Sequence, residues 1–378
     1  MSEHQAPDPM VVTAREHLEE IIPELSQSPR LAVDIESNGF YAYREQVCLL
    51  QMSTVCGDYI IDPIAISDLS SLSPLFSNPR IEKIFHAGEY DVLCLKRDYG
   101  FKITHVFDTM IAGRLLGIKE LGLAAAIERH FDVKLSKKLQ RADWGKRPLT
   151  PAQITYAQLD THFLIRLADI QRDLLKAKGR AEDAAEAFKD LERIEPVIKE
   201  FDPEGYWRIA GRDPISGRQT ACLKEIYIYR EEHAQARNRA LFRVMPDDLM
   251  LRVARAMPQT MQELGVIKGM TPYLLQKLGN GLLRAVQRGR EAQPLTAPPK
   301  PPRPRKDLKE WKLFEALRQW RKLRAEEEGV EPVVILSSKC LREIVHHAME
   351  NSADALRGLS ELKRRRYGEQ LAKILKAE

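Results

Sequence analysis

The chain has 378 residues, 44% hydrophobic and 30% charged, which is too long for one ordinary domain and rich enough in apolar side chains for two or three. No run approaches the roughly eighteen apolar residues of a membrane span, so no membrane attachment is expected. The formal charge of +5 is unevenly placed: residues 1–200 carry 25 Lys and Arg against 31 Asp and Glu, and residues 201–378 carry 34 against 23. A basic half of this kind suits a polyanion, while the acidic half has a different task.

Five scattered cysteines (Cys48, Cys56, Cys94, Cys222, Cys340) form no C-x-x-C pair, which argues for a reducing compartment and against disulfides or a zinc site. The polar, proline-bearing stretch Met1–Pro9 lacks a basic start and an apolar run. No secretory leader is expected, and the cytoplasm is the default location.

In chain order, Val12–Leu25 reads as an opening strand or helix, followed by a clear strand at Leu31–Glu36. Two β-rich runs, Val47–Ser53 and Asp58–Ile61, flank a hairpin turn at Cys56-Gly57-Asp58. Ile81–His86 is a further strand, and Gly88 punctuates the entry to a helix over Glu89–Tyr99. Helical patterns follow at Asp108–Leu116 and Leu121–His130. Thr150 to Lys178 reads as one long helix, with Thr150 as N-cap, Pro151 at the first helical position and Gln153 completing a capping box. Together these predict an α/β domain on a mixed sheet.

After Ser216 strand signals nearly vanish. Residues 217–290 and 306–378 read as helical, separated by Gln293–Arg305 with six prolines between Pro294 and Pro304, an extended spacer. The two helical segments repeat one another in a consistent register. Arg230 aligns with Arg321, Met245 with Leu336, Met250 with Leu341 and Val253 with Ile344; near the ends, Gly279 matches Gly368 and Leu282 matches Leu371.

The chemistry lies in the acidic half. In LAVDIESNGF, period two sends Leu31, Val33 and Ile35 to one face of the strand and Ala32, Asp34 and Glu36 to the other. Two carboxylates side by side at the end of an apolar strand repel one another unless a cation lies between them. Asp91, in IFHAGEYDVLCL, falls in the first turns of a helix, where the dipole alone favours an acid. In ITYAQLDTHFL, Tyr156 and Asp160 are four apart and share a helix face that continues through Phe163, Leu164 and Leu167. An unpartnered carboxylate on that apolar stripe would cost several kcal/mol, so a metal or cationic partner is expected. Four carboxylates plus a tyrosine suit two Mg²⁺ or Mn²⁺ ions about 3.5–4 Å apart.

The order and context of Asp34-x-Glu36, Asp91 and Tyr156-x-x-x-Asp160 resemble the tyrosine subclass of the DEDD exonucleases, 3′→5′ nucleases of RNase H-like fold. REQVCLLQMS, FHAGEYD and ADWGKRPLTPAQITYAQLD narrow the resemblance to ribonuclease D and the related exosome-associated nuclease, over most of residues 25–180. Both helical segments resemble HRDC modules, the first through MPDDLMLRVARAMPQTMQEL, the second, more divergent, through LSSKCLREIVHHAMENSADALRGL. The resemblance implies an RNase H-like exonuclease domain (1–200), an all-α HRDC domain (211–291), a proline-rich linker (292–305) and a second HRDC-like all-α domain (306–378).

It further implies that Asp34, Glu36, Asp91 and Asp160 bind two divalent metal ions, that Tyr156 orients or helps deprotonate the attacking water, and that Glu36 lies near the terminal 3′ hydroxyl. Asp108 is read as structural, and His86 and Tyr90 as shaping the site without ligating metal. The implied activity is 3′→5′ exoribonucleolytic hydrolysis releasing nucleoside 5′-monophosphates from RNA with a free 3′ end, such as tRNA precursors, by a monomer. A DNA exonuclease with the same metal site and a non-catalytic RNA-binding protein are the alternatives. The double HRDC tail favours RNA, and the intact carboxylates and Tyr156 favour activity.

Overall fold

In the computed structural model, residues 6–198, 200–211, 214–297, 307–350 and 354–377 are described. The first half of the chain is built on six strands: β1 (Met10–Val12), β2 (Arg30–Ser37), β3 (Val47–Ser53), β4 (Asp58–Ile61), β5 (Glu82–Phe85) and β6 (Val106–Asp108). Their order across the sheet is β1-β4-β3-β2-β5-β6. The neighbours β2/β3 and β3/β4 are antiparallel and the others parallel, which makes the sheet mixed, as expected. The β3–β4 turn closes where the Thr54 N–H donates to Gly57 O at 2.9 Å.

Among the described residues of this half, eight α-helices surround the sheet: α1 (Arg15–Gln27), α2 (Ser73–Ser77), α3 (Glu89–Tyr99), α4 (Thr109–Leu115), α5 (Leu123–Phe131), α6 (Pro151–His162), α7 (Leu164–Ala177) and α8 (Ala181–Arg193). The alternation read in β2 sorts the two cores. Leu31, Val33 and Ile35 pack with α1 and α3 residues on one face, while Ala32 joins a second core with Leu164, Leu167 and Ala168 of α7 on the other. Every residue of β3 is buried, as a central strand covered on both faces must be.

Two sequence expectations are corrected here. The helix expected over Thr150–Lys178 is two helices, broken at Phe163, whose backbone (φ −94°, ψ −8°) lies between α6 and α7. The break lets α6 lie over β2, β3 and β4 while α7 turns to cover β2 and β5, following the twist of the sheet. The helical pattern expected from Asp108 begins one residue later, because Val106–Asp108 is the edge strand β6 and Asp108 is the N-cap of α4.

The second half is helical. The first module contains α9 (Trp207–Ala210), α10 (Gly217–Ala236), α11 (Leu241–Val244), α12 (Asp247–Ala256), α13 (Met261–Gly265) and α14 (Pro272–Glu291). The second contains α15 (Leu308–Glu328), α16 (Pro332–Ile335), α17 (Ser338–Met349) and α18 (Glu361–Ala377). Each has its own hydrophobic core. The repeat seen in sequence is a structural one: Arg230 donates to Met245 O at 3.1 Å, and Arg321 donates to Leu336 O at 2.9 Å. Met250, Leu341, Val253, Ile344, Leu282 and Leu371 are all buried at their matching places.

The spacer expected at Gln293–Arg305 is described only to 297; its remainder lies outside the described residues. Its start folds back on the first module, with the Leu295 N–H donating to Gly217 O at 3.0 Å. Among the described residues, no helix is long and apolar enough to cross a membrane.

The modules dock on different parts of the catalytic domain. The first meets residues 38–46, the loop leaving β2, through Tyr43 with Glu231 and the Ala240 N–H with Tyr41 O. The second meets α7 and α8, where buried Asp183 pairs with Arg180, Lys363 and Arg366. A cleft of about 620 Å³ lies at that second seam, lined by Arg114, Asp183 and Lys363 among others.

Candidate active site

Three elements deliver the five residues. Asp34 and Glu36 sit on the face of β2 that looks toward α6, the same face as Ser53, whose hydroxyl bonds Thr161 of α6 at 2.7 Å. Asp91 enters from the first turn of α3. The turn before it is tight: Ala87 takes a left-handed φ of 59°, and a Cβ on Gly88 would stand 2.4 Å from Phe85 Cβ, so only glycine fits. Asp108 fixes this turn, accepting from the N–H groups of Gly88, Met110 and Ile111 at 2.7–2.9 Å. Its structural reading therefore holds.

Tyr156 and Asp160 come from α6, which begins with the expected capping box between Thr150 and Gln153. The helix is pinned to the sheet by buried Asp58, which accepts from Gln158 Nε2 at 2.7 Å and bonds His162 Nδ1 at 2.8 Å. The Tyr156 ring lies 5.9 Å from that of buried Trp144. The Trp144 segment is tied down by Arg147, which reaches Asp62, Cys48 O and Trp144 O. An apolar cleft of about 440 Å³ opens beside Tyr156 and Asp160, walled by Leu135, Leu139, Ala152 and Leu159, with Lys138 at its edge.

The electrostatics show that the four carboxylates share one place. Burial pushes the Asp34 carboxyl up to about 7. Burial and Asp34 raise Asp160 to about 9, and burial with Asp34, Asp160 and Asp91 raises Glu36 to about 10. Asp91 is raised well above its ordinary value by burial, then by Asp34, Asp108 and Asp160. Each group's charged neighbours are acids, and no Lys, Arg or His side chain among the described residues pairs with any of the four. Buried like charges of this kind are relieved only by protons or by an added cation. Carboxylate oxygens are hard donors that match Mg²⁺ or Mn²⁺ chemistry. Among the described residues, no three His, Cys, Asp or Glu side chains are already closed around a single metal position.

Burial and the neighbouring Asp160, Glu36 and Asp34 raise the Tyr156 phenol far above its ordinary value, so it keeps its proton at neutral pH. His86 is held neutral, its pKa lowered by burial to about 4, and its Nδ1 bonds Thr109 Oγ1 at 2.9 Å. Tyr90 bonds Ser37 and Glu45, linking α3 to the loop after β2.

One polar neighbour was passed over in the sequence. Gln51 stands directly across from Asp34 in the β2–β3 register, is fully buried, and neither amide atom has a hydrogen-bond partner. A lone amide within the otherwise apolar run VCLLQM was the available signal, since a buried polar group without a partner is costly.

Comparison with known proteins bears on the family and the fold. The sequence model of the family described as 3′-5′ exonuclease matches residues 9–176, and the HRDC domain model matches twice, at 219–286 and 310–375. The exosome complex component 10 homolog of Caenorhabditis elegans is 32% identical over 291 residues, covering 75% of this chain and 33% of that protein. The exosome complex exonuclease RRP6 of Saccharomyces cerevisiae is 30% identical over 298 residues, covering 73% and 40%. The chain thus spans only a third to two fifths of these curated relatives.

The crystal structure of the catalytic core of RRP6 from Trypanosoma brucei superposes with a TM-score of 0.69 at 30% identity, covering 76% of this chain and 81% of that one. Escherichia coli RNase D, at 24% identity and a TM-score of 0.63, shares the fold over 98% of this chain and 99% of its own. With a 3′-5′ exonuclease domain and two HRDC modules behind it, the chain belongs to the RRP6 family of 3′→5′ exonucleases, whose fold it shares with RNase D.

Proposed function

We propose that the chain is an exoribonuclease that removes nucleotides one at a time from a free 3′ hydroxyl end, using two divalent metal ions, Mg²⁺ or Mn²⁺. Asp34, Glu36, Asp91 and Asp160 would hold the ions, and the observation that carries this is that one buried and three half-buried carboxylates face one another with no cationic side chain paired to any of them among the described residues. Bound there, the ions would supply Lewis acidity to the attacking water and to the leaving 3′ oxygen. Because the carboxylates are not yet closed around a metal position, binding is expected to draw them together.

The remaining work falls to the chain's own residues. Tyr156 would orient the attacking water by hydrogen bonding or help to deprotonate it. Glu36, nearest the loop after β2, lies near the terminal 3′ hydroxyl and selects against a 3′-phosphate by charge. The open cleft beside Tyr156 and Asp160 would set a largely apolar wall along one side of the reacting group. Cleavage of the last phosphodiester leaves the phosphate on the departing nucleotide, so the products are nucleoside 5′-monophosphates.

RNA is the substrate favoured by the company of two HRDC modules and by relatives whose names are those of exosome nucleases. Precursors of tRNA and other structured RNAs with 3′ extensions are the proposed targets, handled by a monomer. For truncation work, 1–200, 211–291 and 306–378 are the proposed units, the second extended back to include α9, which packs into its core. The test is digestion of 5′-labelled RNA and DNA strands of one sequence, beside a tRNA precursor with a 3′ trailer. Faster shortening of RNA and trimming of the trailer are expected. Preferred shortening of DNA would move the chain to the proofreading class of nucleases.

A further inference from the structure

The first HRDC module meets the catalytic domain on the loop that leaves the catalytic strand. Residues 38–46 begin two positions after Glu36. The Ala240 N–H donates to Tyr41 O at 3.0 Å and the Arg44 N–H to Asn238 Oδ1 at 3.1 Å. The Arg243 guanidinium donates to Phe40 O and stands 3.9 Å from the centre of the Tyr41 ring. Toward the other side of the site, the Tyr41 hydroxyl donates to Arg141 O at 2.8 Å, in the segment leading to the Tyr156 helix. The seam is therefore fixed to both walls of the carboxylate site.

Its outer surface is unusual in two ways. Phe40 and Phe242 are 55% and 52% exposed, and the Phe242 ring is 5.8 Å from the Arg243 guanidinium. The surface continues to Tyr273, 52% exposed, whose hydroxyl accepts from Arg239 at 3.2 Å. Arg239 and Arg243 contact a hydroxyl, a carbonyl and rings. Neither of them, nor exposed Arg44 and Arg237, has a carboxylate partner among the described residues. The most basic run in the chain, Lys363–Arg366 in the second module, is the opposite case. Lys363 and Arg366 pair with Asp183, Arg364 with Asp354 and Arg365 with Glu182. In a chain with nearly as many acids as bases, 54 against 59, unpaired arginines interleaved with exposed aromatics mark a surface with an external anion to meet.

Resting on the exonuclease reading above, we infer that this seam carries the single-stranded 3′ arm of the substrate just upstream of the nucleotide being removed. Bases stack on Phe40 and Phe242, and Arg44, Arg237 and Arg243 take phosphates. Aromatic faces with interleaved arginines bind single strands without regard to sequence, as a trimming enzyme requires. The location fits as well: four residues of fully extended chain span at most about 14 Å, so Phe40 lies within that distance of Glu36.

The test uses the full chain and two independent pairs of substitutions, Phe40→Ala with Phe242→Ala, and Arg44→Gln with Arg237→Gln. Substrates are a long unstructured RNA and a dinucleotide. Loss of the aromatic pair is expected to raise KM for the long strand on the order of tenfold. The kcat/KM advantage of the long strand over the dinucleotide should shrink by the same factor. Loss of the arginine pair is expected to lower the slope of log Kd against log salt by about 1.4, as two phosphate contacts on a single strand predict. Long-strand KM and salt slope equal to the unsubstituted protein in both pairs would overturn the inference and point to an acidic protein partner. Equal losses on both substrates would also overturn it, placing these residues in the chemistry. Dinucleotide turnover by the unsubstituted protein reports separately on the exonuclease reading.

Discussion

Asp183 is a buried carboxylate and the group around Asp34 a buried to half-buried set in the same domain, and they differ in their company. Asp183, on α8, faces Arg180, Lys363 and Arg366 and closes the seam with the second HRDC module. Asp34, Glu36, Asp91 and Asp160 face one another and meet no basic side chain among the described residues. A buried carboxylate whose counter-charge is supplied by the chain is architecture. One whose counter-charge is missing waits for it from outside, and here the uncompensated group lies at the convergence of a central strand and two helices. The same distinction separates the HRDC modules. Three of the four cations in the basic run of the second pair with acids of the catalytic domain and the fourth within its own module, while the arginines at the first module's seam have no carboxylate partner among the described residues.

The contrast can be broken most sharply by removing one charge from each group. Asp34→Asn and Asp160→Asn, each shape-preserving, are expected to lower kcat in Mg²⁺ on the order of a thousandfold, because the Lewis-acid contribution is several kcal/mol. The fold should persist, since each change keeps the side chain's shape and leaves no unpaired charge behind. Single-turnover cleavage within a few-fold of the unsubstituted rate would exclude these residues as ligands. Asp183→Asn should act in the reverse manner, costing about 3–5 kcal/mol by leaving three cations around an uncharged amide. A denaturant melt reads this, and an unchanged midpoint would mean that the second module is held by its apolar contacts.

Smaller effects refine the picture. Tyr156→Phe removes one hydrogen bond to the attacking water and should slow single-turnover cleavage about 10–100-fold, with KM little altered. An unchanged rate would take the tyrosine out of the mechanism. The last effect is one of pH. The folded carboxyls of Asp34, Asp160 and Glu36 lie near 7, 9 and 10, above their unfolded values of about 4, so the folded state holds more protons between these limits. The contribution of these three groups to stability in EDTA is therefore greatest at low pH and declines as pH rises from about 4 toward 10. Excess Mn²⁺, by supplying the missing counter-charge, should flatten that decline in thermal melts, and Asp34→Asn should flatten it without metal. A pH-independent melting temperature in EDTA would show that the carboxylates are already neutralised.

The site was legible because its chemistry is local. The alternation in LAVDIES, the punctuation at Gly88 and the capping box at Thr150 each act within a few residues, and each stands in the structure as read. What escaped depends on contacts distant in sequence. The three-residue strand β6 is too short to show a period and exists only because β5 pairs with it. The break at Phe163 answers the twist of a sheet formed some hundred residues earlier. The fate of Lys363–Arg366 could not be read at all, since a basic run looks the same whether it faces RNA or Asp183.

The most direct measurement follows a 5′-labelled RNA bearing a 3′ hydroxyl as Mg²⁺ is raised from zero in an EDTA-buffered series with the full chain. The expected result is a ladder shortening one nucleotide at a time from the 3′ end, with release of nucleoside 5′-monophosphates, appearing only as free metal rises and absent with Asp34→Asn. Cleavage that persists in EDTA, internal cutting of a circular RNA, or products ending in 3′-phosphate would contradict the assignment of the unpaired carboxylates as a metal-dependent 3′→5′ exonuclease site.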